Sequence, residues 1–271
     1  MAARYHTIAD DLRRRITEGE YETGASLPPQ AILAAVYETT RNVVSEAIRV
    51  LEGEGLVRPV RRRGTVVQWP AVRRRINRGT KVTRDARYTA VGITAPGITG
   101  YNFPAAQAEA WQVHGHPRAS EEQCPARVAE LLRVPPSARI IRRRRVTSPV
   151  GEAPFQLVDS WIHPGGVTDA PRAAQGNTGP GGYLDRLEEA GHGPISWTEY
   201  VRARMPDPEE ADLLQIAIRA VVFELARVGT SAKTGTPVEV TMCVIPADRA
   251  EIIIPLVRDR SAKWPLTDGN G

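Results

Sequence analysis

The sequence predicts an α+β protein in two parts, a small helical N-terminal unit closed by a hairpin and a larger antiparallel sheet flanked by helices. Three observations predict it. Apolar residues recur at helical spacing from Ile8 to Leu51, then give way to two short strand patterns around Arg61-Arg62-Arg63-Gly64. A helix–strand–hairpin–strand unit occurs twice in the second part, 82 residues apart. The net charge of +5 lies wholly within residues 1–80, which carry 14 Arg and 9 acidic residues; residues 81–271 carry 22 basic and 22 acidic side chains.

At 271 residues with 41% hydrophobic content, the chain is long enough for two packed cores. Lysines are confined to Lys81, Lys233 and Lys263. Composition bias explains Arg over Lys but not the localised excess, which points to a polyanion partner for the N-terminal part. No run of about 18 apolar residues and no leader pattern at Met1-Ala2-Ala3-Arg4 are present, so a cytoplasmic protein without membrane contact is expected. Cys124 and Cys243 lack metal or disulfide spacing. His114, His116, His163 and His192 make no metal or triad pattern, and His114-Gly115-His116-Pro117 reads as a loop. No nucleophile–base pair and no Gly-rich phosphate loop are readable, so no catalytic residues, metal or cofactor are expected.

In the N-terminal unit, Ile8, Leu12 and Ile16 mark a first helix that Gly19 ends. Pro28-Pro29 suits the first turn of a second helix, with Ile32, Leu33 and Val36 facing inward. Thr39 or Thr40 suits the N-cap of a third, whose buried stripe is Val44, Ala47, Ile48 and Leu51. Leu56–Pro59 and Thr65–Gln68 read as strands around the arginine tip. Together these describe a winged helix-turn-helix, whose recognition helix enters the major groove by its N-terminal end. That end carries Arg41, Asn42 and Ser45. Arg matches guanine O6/N7 and Asn matches adenine N6/N7. Wing residues Arg61, Arg62, Arg63, Gly64 and Thr65 suit phosphates or the minor groove, the alternative being a solvated hairpin tip. Arg13-Arg14-Arg15 fan around one helix toward water. Arg73-Arg74-Arg75 and Arg78 lie in the linker, adding either phosphate attraction or nothing.

From Tyr5 to Val67 the chain resembles the GntR family of bacterial transcription regulators. The resemblance rests on Ile8-Ala9, Leu12-Arg13, Gly19, Tyr21, Gly24, Leu27-Pro28, Leu33-Ala34, Arg41, Val44, Ala47, Leu51, Glu54-Gly55-Leu56-Val57 and Gly64-Thr65-Val66-Val67. The family's usual Leu-Pro-Ser-Glu stands here as Leu27-Pro28-Pro29-Gln30, its frequent next Arg as Ala31, and its Thr-Val-Arg as Val43-Val44-Ser45. The resemblance therefore implies that two habitual DNA-contacting arginines are missing while Arg41 is kept. The wing is expected to carry more of the affinity.

In the second part, Ala129-Glu130-Leu131-Leu132-Arg133-Val134 recurs as Ala211-Asp212-Leu213-Leu214-Gln215-Ile216, and each copy continues through a strand to Pro154 or Pro237 and another strand. Antiparallel strands linked in this way, with helices to one side, give an α+β sheet. Dense Pro and Gly between 96 and 118 and between 164 and 182 read as long loops, with a helix over Tyr183–Ala190. This half, over residues 85–257, resembles the UTRA effector-binding domain of HutC-type GntR regulators, whose fold is similar to chorismate lyase. Ile140–Val146, Ser160-Trp161-Ile162-His163-Pro164, Asp207-Pro208-Glu209-Glu210-Ala211 and Pro237-Val238-Glu239 carry that resemblance.

Strand alternation places Arg142 and Arg144 on one face, and Arg143 and Arg145 on the other. Paired guanidinium forks suit a carboxylate or phosphate. The resemblance puts Arg142 and Arg144 in register with an Arg-x-Arg used for acidic effectors. It also puts Ser160 and Trp161 near the ligand, with Glu199 and Glu239 accepting hydrogen bonds from it. The alternative is a sheet face on which Asp or Glu matches the arginines; Glu224, standing where the first repeat has Arg142, suits a cross-sheet salt bridge. The family's acidic strand residue falls at Val158, with Asp159 on the other face, which weakens the case for a sugar phosphate.

The sequence thus predicts a transcription repressor that binds a palindromic double-stranded DNA operator as a homodimer, under control of a small, acidic effector. Residues 1–70 are the winged helix-turn-helix, 71–84 a linker, 85–257 the effector-binding and dimerisation domain with its chorismate-lyase-like antiparallel sheet, and 258–271 a tail. Two other classes were weighed. A lyase leaves the first 70 residues unexplained. An effector-independent plasmid or chromosome maintenance protein predicts stabilisation by DNA and by no metabolite.

Overall fold

The computed structural model describes residues 4–60, 62–68, 73–78, 82–85, 100–102 and 111–262. Its N-terminal unit consists of α1 (Arg4–Thr17), α2 (Gln30–Val36) and α3 (Arg41–Gly53), then a hairpin of β1 (Val57–Val60) and β2 (Gly64–Val67). Ile8, Leu12 and Ile16 of α1 meet Val44, Ala47, Ile48 and Leu51 of α3 in one core, closed by Leu27, Val57 and Val67. Full burial of each Leu or Ile there is worth about 1.5–3 kcal/mol, so this core holds the helices at their crossing. Thr40 occupies the N-cap position of α3, without a side-chain cap.

The second helix corrects the sequence reading. It starts at Gln30, with Pro29 as its N-cap. Leu33 and Ala34 are buried, whereas Ile32 and Val36 are 54% and 61% exposed. Ile32 and Val36 stand one helical turn apart, on the side away from the core, because the inward phase of this short helix is set by Leu33, Ala34 and Tyr37.

The second part is built on a fully antiparallel six-stranded sheet, in the order β6-β7-β8-β11-β10-β9. The strands are β6 (Trp111–Gln123), β7 (Arg139–Pro149), β8 (Gln156–Ile162), β9 (Ser196–Arg204), β10 (Val222–Thr230) and β11 (Pro237–Pro246). Between them lie α4 (Ala126–Leu132) and α7 (Pro208–Leu214). The repeat is therefore strand–helix–strand–hairpin–strand, one strand longer than the sequence suggests. Its copies meet where β8 pairs with β11. Both repeat helices end on a non-glycine residue in the left-handed region, Arg133 at φ 58° and Gln215 at φ 54°, each donating from its backbone N–H to the last turn. Asp207 and Glu210 add a reciprocal capping box to α7 alone.

β6 overturns the expected loop around His114-Gly115-His116. A register shift between His114 and Arg118, with Gly115 at φ 72°, accommodates Gly115 and Pro117 in an edge strand.

α4 and α7 pack on one face of the sheet. The other face carries α5 (Pro164–Asp169), a 3-10 turn (Pro171–Ala174) and α6 (Tyr183–Leu187) toward one end. Toward the other end it carries β3 (Arg74–Asn77), paired in parallel with β12 (Ala250–Ile253). Part of the expected linker is thus a strand of the second part: Ile76 is 1% exposed among Phe155, Leu225 and Ile245. Gly55, at φ +75° after α3, lies against the 3-10 turn Ala247–Arg249 that precedes β12, where an added Cβ would meet Asp248 Oδ2 at 2.8 Å.

Candidate DNA interface and effector site

α3 begins with the exposed Arg41 and Asn42, and Ser45 follows half-buried one turn on. Arg13, Arg14 and Arg15 are matched by Glu54 at 2.7 Å, Glu18 at 2.7 Å and Glu20 at 2.8 Å. Among the described residues of the N-terminal unit, Arg41, Arg58, Arg62 and Arg63 form no ion pair with an acid, nor does Arg4, which bonds the Tyr37 and Glu38 carbonyls. The positive excess therefore concentrates at the tip of the recognition helix and on the wing.

In the wing, Arg62 lies at φ 67° and points to solvent, while Gly64 at φ +83° has open space around it. Thr65 pairs with Pro59 across the hairpin. Arg61 falls outside the described residues. Arg63 turns back: its Nη2 donates to the Gly24 carbonyl at 2.8 Å, and Ser26 Oγ donates to the Arg63 carbonyl at 2.9 Å. This residue fastens the wing to the loop before α2.

The six residues expected around an effector divide between the two faces of the sheet. Register decides the division. Arg143 on β7 pairs with Ser160, Ser160 with Thr241, Thr241 with Arg227, and Arg227 with Glu199, so these five form one row across one face. The next row on that face contains Glu239, Gly229 and Trp197. Arg142, Arg144 and Trp161 project from the opposite face, beneath α4 and α7.

On the α4/α7 face the arginines are already matched. Asp159 accepts from Arg142 Nη2 at 2.8 Å and from Arg144 Nε and Nη2, each at 2.9 Å; Glu122 takes a second Arg142 bond at 2.9 Å. Arg142 lies 5.1 Å above the Trp161 ring, which is buried against Val128, Ala129 and Leu132. Burial pushes the Asp159 carboxyl up to about 6, against the pull of Arg144. Arg142, Arg144 and Trp161 are therefore members of one salt-bridged and stacked network. Glu224 does not bridge to Arg142; it takes Arg202 at 2.7 Å and Arg204 at 2.6 Å from neighbouring β9.

The opposite face holds a buried polar cluster. Glu239 is 0% exposed and accepts from Thr241 Oγ1 at 2.9 Å, Tyr183 Oη at 3.1 Å and Trp197 Nε1 at 3.1 Å. Gly229 makes this possible, since a Cβ there would come within 2.7 Å of Glu239 Oε1. Burial pushes the Glu239 carboxyl up, while Arg227, with Nε 3.8 Å away, opposes the shift. Ser160 Oγ lies 3.0 Å from Thr241 Oγ1. Arg143 donates to the carbonyls of Ala173 and Gly176 at 3.2 Å and to that of Gln175, with its guanidinium 5.7 Å from the Tyr183 ring. No described acid matches Arg143, and burial pulls its guanidinium below the ordinary Arg range. Arg145, on the same face, is exposed and likewise without an acidic partner among the described residues.

Register brings Arg227, Tyr183 and Thr241 to the face of Ser160 and Glu239, where strand alternation alone sets only Arg143 and Arg145 together. The available signal was Ser160: whatever strand partner aligns with it shares its face. His192 also has an unforeseen setting, with Nδ1 2.8 Å from Ser231 Oγ and Nε2 3.2 Å from Asp169. Ser231 is 1% exposed and its Oγ accepts the Lys233 amide at 3.1 Å, so this trio locks the β10–β11 hairpin. Among the described residues, no His/Cys/Asp/Glu group could hold a metal and no helix is long and apolar enough to cross a membrane.

A winged helix with an exposed recognition-helix tip, joined to a six-stranded antiparallel sheet domain with a buried polar cluster, defines the class of two-part DNA-binding regulators. Comparison with known proteins gives the particular family. Bacterial regulatory proteins of the gntR family match residues 4–67, and the UTRA domain matches residues 118–251. An HTH-type transcriptional regulator of Streptomyces coelicolor is 32% identical over 243 residues, covering 88% of this chain and 87% of that one. Another, from Rhizobium meliloti, is 28% identical over 267 residues, covering 93% and 94%. A solved GntR-family regulator is 26% identical, with a TM-score of 0.49 over 95% of this chain and 99% of that chain. The chain belongs to the gntR family and carries a UTRA domain; it is a transcriptional regulator with DNA-binding and effector-binding domains, not an enzyme.

Proposed function

We propose that this regulator is a cytoplasmic repressor of the HutC type, binding a palindromic operator as a homodimer and answering to a small acidic effector. Arg41, Asn42 and Ser45 read base edges, and Arg61, Arg62, Gly64 and Thr65 hold the backbone or minor groove, with Arg63 setting the wing's position. The effector lies on the face of Arg143, Arg145, Ser160, Arg227, Glu199 and Glu239. Residues 1–70 act as the DNA-binding domain and 85–257 as the effector domain, with strand 74–77 of the intervening linker packed on the latter.

The observation that carries the acidic effector is Arg143, a half-buried guanidinium bonded to carbonyls and matched by no described carboxylate. A partly desolvated cation with that surrounding is stabilised by an incoming anion. The test is a footprint on the DNA upstream of the protein's own gene, together with thermal melting against small organic acids and phosphates. Two protected half-sites about one helical turn apart, and a ligand that both raises Tm and changes the footprint, are expected. A protein that DNA stabilises but no anion does would sink the effector assignment.

A further inference from the structure

Arg78 closes β3, the strand that follows the wing: β2 ends at Val67 and β3 begins at Arg74. Upstream, β3 is firmly seated. Arg74 Nη1 bonds Glu152 at 2.8 Å, Arg75 bonds Glu251 at 3.0 Å, and Ile76 is sunk in the core. The Arg78 amide bonds the Ile253 carbonyl at 2.7 Å. Its side chain behaves differently. It is only 9% exposed, yet its Nε makes no hydrogen bond and merely faces Glu199 Oε2 at 3.5 Å. Arg127, Arg142 and Arg186 also leave a buried Nε without a hydrogen bond, so it is the position of Arg78, a linker side chain reaching a carboxylate of the sheet, that calls for a reason.

The surroundings supply one. Glu199 pairs in register with Arg227, within the row that runs to Ser160 and Arg143. Arg145 stands one row along on the same face, since it pairs with Val158 and Val158 with Cys243. An anion bound at that face approaches Arg143 and Arg145, which no described acid matches. It also offers Arg78 the short, aligned bonds that Glu199 does not.

We infer that Arg78 is a sensing residue carried by the interdomain linker into the effector site: Glu199 holds it when no anion is bound, and an anionic effector competes for it and so shifts the strand that leads to the wing. This rests on the proposed acidic-effector face and names how its occupancy reaches the DNA-binding domain. The coupling needs no moving part beyond one linker strand, because the two states differ in which oxygen Arg78 contacts.

Inorganic phosphate serves as the probe, in full-length protein at ionic strength matched with chloride. Hydrogen exchange over residues 73–78 is read with thermal melting, in wild type, Arg78→Gln, Arg78→Lys, Glu199→Gln and Arg145→Gln. In wild type, phosphate is expected to raise Tm and change linker exchange by about five- to tenfold, the ordinary size of coupling between sites. Arg78→Gln keeps part of the Tm shift but loses the linker response, and Arg78→Lys restores it. Glu199→Gln without phosphate moves linker exchange toward the phosphate-bound value. A wild-type linker response in Arg78→Gln overturns the inference, as does unaltered exchange in Glu199→Gln. Loss of the Tm shift in Arg145→Gln supports the anion face separately. If phosphate leaves wild type unchanged, phosphate is not the anion this face takes, and the ligand-free Glu199→Gln exchange alone decides for or against the Arg78 latch.

Discussion

Glu224 shows how a single side chain in this sheet is governed by its neighbours. Burial pushes its carboxyl up, but Arg202 and Arg204 together outweigh that and hold it below the usual carboxylate value. A carboxyl depressed in the folded state stabilises the protein above its unfolded pKa, and that contribution is lost as pH falls through the folded value. Glu224→Gln should therefore cost about 1.5 kcal/mol at pH 7, the scale of losing a charge-assisted hydrogen bond, because Arg202 is half-exposed and Arg204 keeps Glu210. The gap between variant and wild type should close below about pH 4 in pH-dependent thermal melts. An equal gap at pH 7 and pH 3.5 would count against this account. The sequence identified Glu224 as a salt-bridge former but assigned it Arg142, because it contains no sign of which strand lies alongside β10.

Elements were legible where their own periodicity sufficed. α1 and α3 follow their apolar stripes, and the wing follows Gly64 and the flanking strand residues. α2 was phased wrongly because seven residues hold too few apolar positions to fix one face against another. β6 was missed because an edge strand tolerates the Gly and Pro that elsewhere mark loops. The wing yields a prediction of its own. Arg62 projects freely, so Arg62→Ala should reduce the salt dependence of DNA binding by about one unit of log–log slope. Arg63 is fastened to Gly24, so Arg63→Ala should weaken binding through a loosened hairpin while leaving that slope nearly intact. Equal slope losses in binding titrations of both variants would refute the division of labour.

At the scale of the whole molecule, the core of the winged helix and those of the effector domain are separate clusters. Of the five tryptophans, Trp111, Trp161 and Trp197 pack in the second part, whereas Trp69 falls within residues 1–70, so fluorescence is read in a Trp69→Phe background. Leu51→Ala should thus destabilise the DNA-binding domain by about 2–5 kcal/mol. Helix content should melt earlier while the tryptophan fluorescence transition holds its midpoint. A common shift of both signals would mean that the Gly55–Asp248 contact and β3 bind the two parts into one cooperative unit. The net charge placement was readable at this scale from the sequence, since it is additive. The docking of β3 against β12 was not, since the partners lie far apart in the chain.

The sequence by itself determined the two-part α+β architecture, the winged helix-turn-helix, the internal repeat and the family, because these rest on local periodicity and on ordered Gly, Pro and Arg positions. It also set the β7 arginines in two pairs on opposite faces. Only the tertiary structure decided what each pair meets. Strand alternation makes Arg142/Arg144 and Arg143/Arg145 equivalent until the register with β8 and the placement of the helices assign each face its surroundings. Asp159 and Glu122 then claim the first pair, and the second is left facing Ser160, Glu239 and the linker's Arg78.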